Sequence, residues 1–136
     1  MISHINIMAV GVAALASFAF GAVWYMMLGS HWLAALGTTR DRLGERHKGR
    51  LSPFIVSALS LVLMAWVLAS LVGHLGAPTI RSGLITAAIC WVGFVLTTME
   101  TNHAFNGARY QLTLIDAGHW LGVLLIQGLV IGAMGA

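Results

Sequence analysis

Four long apolar segments dominate this sequence, at residues 5–28, 53–72, 82–99 and 112–134. An α-helix needs about 20 apolar residues to cross the hydrocarbon core of a bilayer. Backbone groups in that core must be hydrogen-bonded within the protein, and the segments lack the period-two alternation of barrel strands, so we expect continuous helices. Only 8% of the residues are charged, which is too few for a water-soluble domain. The sequence therefore predicts an all-α fold, a four-helix transmembrane bundle that forms one membrane domain over residues 1–136.

Basic residues are concentrated in the loop at residues 29–52, whereas the next loop holds only Arg81. By the positive-inside rule we expect the first loop to be cytoplasmic and both termini to lie on the opposite side. The loop's basic residues are expected to set this topology or, alternatively, to contact anionic lipid headgroups; they are Arg40, Arg42, Arg46, Lys48 and Arg50. Nucleic acid is not an expected partner, because these residues lie beside a membrane segment. The first segment is expected to be retained, since no basic region precedes it as in a signal peptide.

Small residues recur at a spacing of four, which allows close approach between membrane helices. The fourth segment holds two such pairs, Gly118/Gly122 and Gly128/Gly132, and Gly21 ends a row of small residues in the first segment. The two pairs lie roughly 80° apart around a helix, so we expect them to meet different neighbours. Another copy of the chain or another membrane subunit is a candidate for one of these neighbours.

Polar residues interrupt the apolar pattern near the predicted cytoplasmic boundary. Asp116 and His119 lie within the fourth segment, with Gln127 deeper in it. An ionisable group within a membrane segment faces a partner or a cavity. We expect these residues to converge with others at the same depth, namely His31 after the first segment and Glu100, Asn102 and His103 after the third.

Four interpretations of this polar cluster remain open at the level of the sequence. In the first, Asp116 and His119 form hydrogen bonds to Asn102, Trp24 or Tyr25 and fix the geometry of the bundle. In the second, Asp116, His119 and Gln127 line the polar path of a small transporter or channel. The third is a metal site, and the fourth is ligation of a tetrapyrrole by His119. The sequence does not identify a metal or a cofactor, and we expect the protein to have no cofactor.

Trp24 and Tyr25 lie at the cytoplasmic end of the first segment, and Trp32 follows soon after it. These three aromatic residues are expected to form a belt at the membrane interface. The single cysteine, Cys90, lies within an apolar run and is expected to be an inert packing residue.

Three stretches of this sequence resemble a known family: GAVWYMMLGSHWLAALG, GFVLTTMETNHAFNG and LTLIDAGHWLGVLLIQGLVIG. They are similar to small bacterial membrane proteins grouped as domain of unknown function 1761. The resemblance implies four membrane helices in the bacterial inner membrane and no established activity. The motif positions are Gly21, Trp24, Tyr25, Trp32, Gly37, Thr98, Asn102, Phe105, Gly107, Ile115, Asp116, Ala117 and Gly118. Many relatives are expected to carry Asn at the position of Asp116, which favours a hydrogen-bonding role there over one that needs a carboxylate.

The sequence holds no evident serine-histidine-acid set, phosphate-binding glycine loop or paired carboxylates. We therefore expect a non-enzymatic membrane protein that acts by association, as a homo-oligomer or as an accessory subunit of a larger membrane complex. The alternatives are the small transporter or channel and the metal- or tetrapyrrole-binding protein.

Overall fold

The computed structural model describes residues 4–136, which form six α-helical segments and one π-helical segment. Their bounds are α1 Ile7–Leu36, α2 Arg40–His47, α3 Pro53–His74, α4 Ile80–Cys90, the π-helical segment Trp91–Leu96, α5 Thr97–Phe105 and α6 Tyr110–Met134. Residues 4–136 include no β-strand. The predicted all-α class is therefore confirmed.

Four helices are long and apolar enough to cross a membrane: α1, α3, α6 and a third span in which α4, the π-helical segment and α5 are continuous from Ile80 to Phe105. The predicted four-span bundle is confirmed, while the sidedness of the termini stays a prediction. The helices extend beyond the predicted segments, because α1 continues to Leu36 and the third span begins at Ile80 and ends at Phe105. An apolar run marks the part of a helix that lies in hydrocarbon, whereas the helix itself continues wherever its backbone hydrogen bonds are made.

The ends of the helices are set by local side-chain contacts. The Asn6 side chain accepts a hydrogen bond from the Ala9 N–H at 3.1 Å, and Thr79 and Ser82 form a reciprocal capping box at the start of α4. Gly37 ends α1 with a φ of 70°, a left-handed conformation that favours glycine. A two-residue connection then leads to α2, which lies inside the segment predicted as the first loop.

Helix α6 is the centre of the bundle and contacts α1, α3 and α4. The pairing of α1 and α6 is antiparallel over almost their whole length. At one end Asn6 Nδ2 donates to the Met134 carbonyl oxygen at 3.1 Å, and at the other Arg109 donates to the Ala34 carbonyl oxygen at 3.1 Å. The polar residues near the start of α6 are therefore held against the last turns of α1.

The buried core is built largely from small and aliphatic side chains. One cluster joins residues of α1, α3, α4 and α6 and consists of Val10, Ala13, Ala65, Leu68, Ala69, Val72, Ala87, Leu124 and Ile131. The alanines of this cluster let the helix backbones approach closely, and close packing is one of the sources of helix association in lipid.

Candidate functional site

A polar and aromatic site lies between α1 and α6. The Tyr25 hydroxyl donates a hydrogen bond to Asp116 Oδ1 at 2.7 Å. The Tyr25 ring also meets the Trp32 ring edge-on, with centroids 5.6 Å apart. The carboxylate of Asp116 is thus covered by a hydrogen-bond donor from α1 instead of facing hydrocarbon.

Two consecutive residues of α1, Trp24 and Tyr25, contact two consecutive residues of α6, Ile115 and Asp116. Trp24 Nε1 donates to the Ile115 carbonyl oxygen at 3.1 Å, directly beside the contact between Tyr25 and Asp116. Gly118 provides the space for the indole, since a Cβ at Gly118 would lie 2.9 Å from Trp24 Cζ2. The neighbouring helix therefore holds Trp24 and Tyr25 in defined positions, a tighter arrangement than an aromatic belt in the lipid interface.

His119 occupies an aromatic slot one turn further along α6. Its ring centroid is 4.9 Å from that of Tyr25 and 4.8 Å from that of Trp120, and Phe20 stacks on it at 6.2 Å. The ring also lies against the backbone of α1, because a Cβ at Gly21 would be 2.7 Å from His119 Nε2. His119 is only 7% exposed, and within residues 4–136 its buried Nδ1 has no hydrogen-bond partner.

Gln127 forms a separate polar junction deeper in the bundle. Its Nε2 donates to Ser17 Oγ and to the Leu61 carbonyl oxygen, both at 3.1 Å, so it joins α6 to α1 and α3. Gln127 and the intervening Val123 are both fully buried. Packed side chains therefore separate Gln127 from Asp116.

The predicted convergence of the polar residues is found only in part, because His103 lies near enough to Asp116 for their charges to interact. His103 Nδ1 and Thr113 Oγ1 form a hydrogen bond of 2.8 Å, whereas His31, Glu100 and Asn102 are exposed. Over residues 4–136, no three His, Cys, Asp or Glu side chains lie close enough to hold a metal ion. Residues at the same membrane depth on different helices point in different directions around the bundle, so depth alone predicts no contact.

The glycines of the predicted packing positions lie at two different helix contacts. Gly118 and Gly122 face Trp24 and Phe20 of α1, and Gly21 faces His119. Gly128 and Gly132 instead face the backbone of the third span at Gly83 and Thr79. The third span is also tied to α6 by Trp91, whose Nε1 donates to the Ala117 carbonyl oxygen at 2.9 Å.

The basic residues of the first loop lie on and after α2. Arg40, Arg42, Arg46, Lys48 and Arg50 are all exposed, and Lys48 forms a surface ion pair with Glu45 at 2.8 Å. Their contact with lipid headgroups remains a prediction.

One feature missed by the sequence analysis is a row of small residues on the outside of the third span. Gly93, Thr97 and Thr101, which we name the outer seam, follow one another at a spacing of four and are exposed. A Cβ added at Gly93 would meet no atom of the described residues within 4 Å. The spacing of four is present in the sequence, where threonine counts among the small residues that allow close approach between membrane helices.

Comparison with known proteins gives the family. Over residues 8–132 the sequence matches the model of a family described as a protein of unknown function, DUF1761. The chain belongs to this family. The predicted resemblance is thus confirmed over nearly the whole sequence. No curated protein and no solved structure matches the chain, so a function for this DUF1761 member is argued from its geometry.

Proposed function

We propose that this DUF1761 protein is an association subunit of the bacterial inner membrane, and that its outer seam binds another transmembrane helix. The partner helix belongs to a second copy of the chain or to another subunit of a membrane complex. The observation that carries the proposal is the contrast between the outer seam and the seams inside the bundle.

Inside the bundle, glycines on the spans lie against a neighbouring helix. Gly128 lies against the backbone at Gly83, where an added Cβ would be 2.8 Å from the carbonyl carbon. The outer seam has the same spacing and no such neighbour within the described chain. Because lipid solvates large apolar side chains as well as a helix does, small residues that allow close backbone contact favour association.

The hydroxyl groups of the two threonines of the outer seam donate within their own helix. Thr97 Oγ1 donates to the Gly93 carbonyl oxygen at 2.9 Å, and Thr101 Oγ1 donates to the Thr97 carbonyl oxygen at 2.8 Å. The third span is also the least buried of the four, with 17% of its apolar window buried against 39% for α6. A partner helix therefore finds an open, closely approachable face.

Glu100 adds a polar group beside the outer seam. It is the residue before Thr101, and it is exposed on the surface of the chain. A crossing of about 20 residues that starts at Ile80 ends near Met99, so Glu100 lies at the edge of the membrane. A carboxylate there costs less than at the membrane centre and is stabilised by a hydrogen-bond donor or a cation on a neighbouring helix. We therefore expect the partner to place such a donor opposite Glu100.

Cysteine cross-linking in native membranes tests this proposal directly. The chain has a single cysteine, so Cys90→Ala gives a background without thiols. In that background we expect Thr97→Cys to form a disulfide-linked dimer if the partner is a second copy. Leu63→Cys is the matched control, because Leu63 is 60% exposed on α3, away from the outer seam, and it is expected to stay monomeric.

A bulky substitution separates the remaining outcomes. Gly93→Leu fills the outer seam. If the partner is a second copy, this substitution is expected to abolish the cross-link at position 97. If the partner is a different subunit, the substitution is expected to release a protein that co-purifies with the wild type in mild detergent. The proposal would be overturned if the wild-type chain is monomeric in membranes and retains no other membrane protein, and if the Thr97→Cys variant forms no cross-link.

The transporter and ligand-binding hypotheses receive less support from the same contacts. A transport path through Asp116, His119 and Gln127 would have to pass the buried Val123. A tetrapyrrole on His119 would need space that the rings of Phe20, Tyr25 and Trp120 occupy. Both hypotheses therefore require a rearrangement of the bundle, whereas association through the outer seam requires none.

A further inference from the structure

A groove of about 450 Å³ lies between the last turns of α1 and the first turn of α6. Its polar lining comes from His31, Arg109 and Gln111, and its apolar lining includes Leu28, Leu114 and Ile115. Its volume is within the range of small-molecule sites, roughly 300 to 1,000 Å³. None of the residues that line this groove is acidic. The groove therefore combines a cationic end with an apolar floor.

The position of the groove along α1 puts it at the height of lipid headgroups. A helix crosses the hydrocarbon core in about 20 residues, so a crossing that starts at Ile7 ends near Met26. Leu28 and His31 follow in the next turns of α1, on the side of the basic loop. A groove at this height is open to lipids that border the bundle.

Arg109 has the donors that an anion at this height would need. One of its guanidinium nitrogens donates to the Ala34 carbonyl oxygen at 3.1 Å, which fixes the side chain at the mouth of the groove. A guanidinium carries five N–H donors, so the others are left for a ligand. Gln111 and His31 are exposed beside it, and α6 begins here without a side-chain cap on its first N–H groups.

We propose that this groove binds one anionic phospholipid. The phosphodiester accepts hydrogen bonds from Arg109, Gln111 and His31, and an acyl chain lies along Leu28, Leu114 and Ile115. The apolar floor favours a lipid over free phosphate. Leu114 is 56% exposed, and an acyl chain would pack against it, whereas a phosphate ion would not. This site is distinct from the exposed cations on and after α2, and it does not depend on the outer seam.

Native mass spectrometry of protein released from nanodiscs tests the site. Nanodiscs made from equal amounts of phosphatidylglycerol and phosphatidylcholine are expected to give wild-type protein enriched in retained phosphatidylglycerol. Arg109→Gln is expected to lower that enrichment roughly fivefold, the effect of about 1 kcal/mol for one basic contact. Arg46→Gln removes the same charge from α2 and is expected to leave the enrichment within about twofold of wild type, because an exposed charge away from the groove is screened.

A second variant tests the groove without changing any charge. Ala34 lines the groove and is exposed, so Ala34→Phe fills the space while the Ala34 carbonyl stays available to Arg109. This variant is expected to lose the phosphatidylglycerol enrichment, and it decides the question if Arg109→Gln does not fold. Wild-type enrichment in Ala34→Phe would overturn the proposal, and so would equal losses in Arg109→Gln and Arg46→Gln.

The source of the phosphate is tested separately by thermal unfolding in nanodiscs of phosphatidylcholine alone. Inorganic phosphate is expected to leave the unfolding temperature unchanged, whereas phosphatidylglycerol in the nanodisc is expected to raise it. A rise with inorganic phosphate as large as that with phosphatidylglycerol would mean that the groove takes free phosphate, and the lipid proposal would be wrong.

Discussion

The contact between Gly128 of α6 and Gly83 of α4 gives the sharpest quantitative prediction. At Gly128 an added Cβ would be 2.8 Å from the Gly83 carbonyl carbon and would overlap the Gly83 carbonyl oxygen. These are backbone atoms, so no rotation of a flexible side chain relieves the overlap. Gly128→Ala therefore requires α4 and α6 to move apart along their contact.

The cost of this change follows from the kind of neighbour that has to move. Adding a methyl group to a well-packed interior costs about 1 to 3 kcal/mol, and we expect about 2 to 3 kcal/mol here because two helix backbones must separate. Gly11→Ala is the matched control, since Gly11 is exposed on α1 and a Cβ there would meet nothing within 4 Å. The control is expected to change the free energy of unfolding by less than about 0.5 kcal/mol.

Unfolding by sodium dodecyl sulfate in mixed micelles, followed by tryptophan fluorescence, measures both variants. Gly83→Ala is expected to cost about as much as Gly128→Ala, because its Cβ would be 2.9 Å from the Gly128 carbonyl carbon. The double variant is expected to cost less than the sum, since a single separation of the helices accommodates both methyl groups. A Gly128→Ala protein as stable as Gly11→Ala would refute the close contact between α4 and α6.

Three further predictions concern the polar contacts and use the same unfolding measurement. Asp116→Asn is expected to change stability by less than about 1 kcal/mol, because an amide oxygen still accepts from the Tyr25 hydroxyl, whereas Asp116→Leu is expected to cost about 1 to 3 kcal/mol by leaving that hydroxyl unpaired. Gln127→Leu is expected to cost about 1 kcal/mol, since interhelical hydrogen bonds in membranes are weak. Gln127→Ala is expected to cost about 2 kcal/mol or more because it also leaves a cavity. Trp91→Phe is expected to cost about 1 kcal/mol through loss of its bond to Ala117. Equal losses for Asn and Leu at position 116, or for Leu and Ala at position 127, would contradict this reasoning.

The sequence was sufficient to predict the four spans. Apolar length predicts a membrane span because the bilayer has a fixed thickness, and the angle between the two glycine pairs of α6 indicates different neighbours. The bond between Tyr25 and Asp116 was among the alternatives, since both residues lie near the same boundary.

The direction in which each residue faces could not be predicted from the sequence. Rotation of a membrane helix about its axis depends on how all its neighbours pack, and an apolar helix in lipid lacks the polar outer face that reveals this rotation in soluble proteins. His119 therefore faces aromatic rings and not a second histidine, and Glu100 faces outward instead of joining Asp116. The groove at Arg109 was hidden for the same reason, because its two walls come from distant parts of the chain.

The central claim is that the chain crosses the bilayer four times with its basic loop on the cytoplasmic side. The most direct test of this claim uses single cysteines placed in the Cys90→Ala background. Each cysteine is treated with a membrane-impermeant maleimide in sealed vesicles of both orientations. We predict that His47→Cys reacts only from the cytoplasmic side, Ala77→Cys only from the opposite side, and Leu63→Cys from neither side until the membrane is dissolved. Reaction of His47→Cys and Ala77→Cys from the same side, or of Leu63→Cys in intact vesicles, would contradict the account.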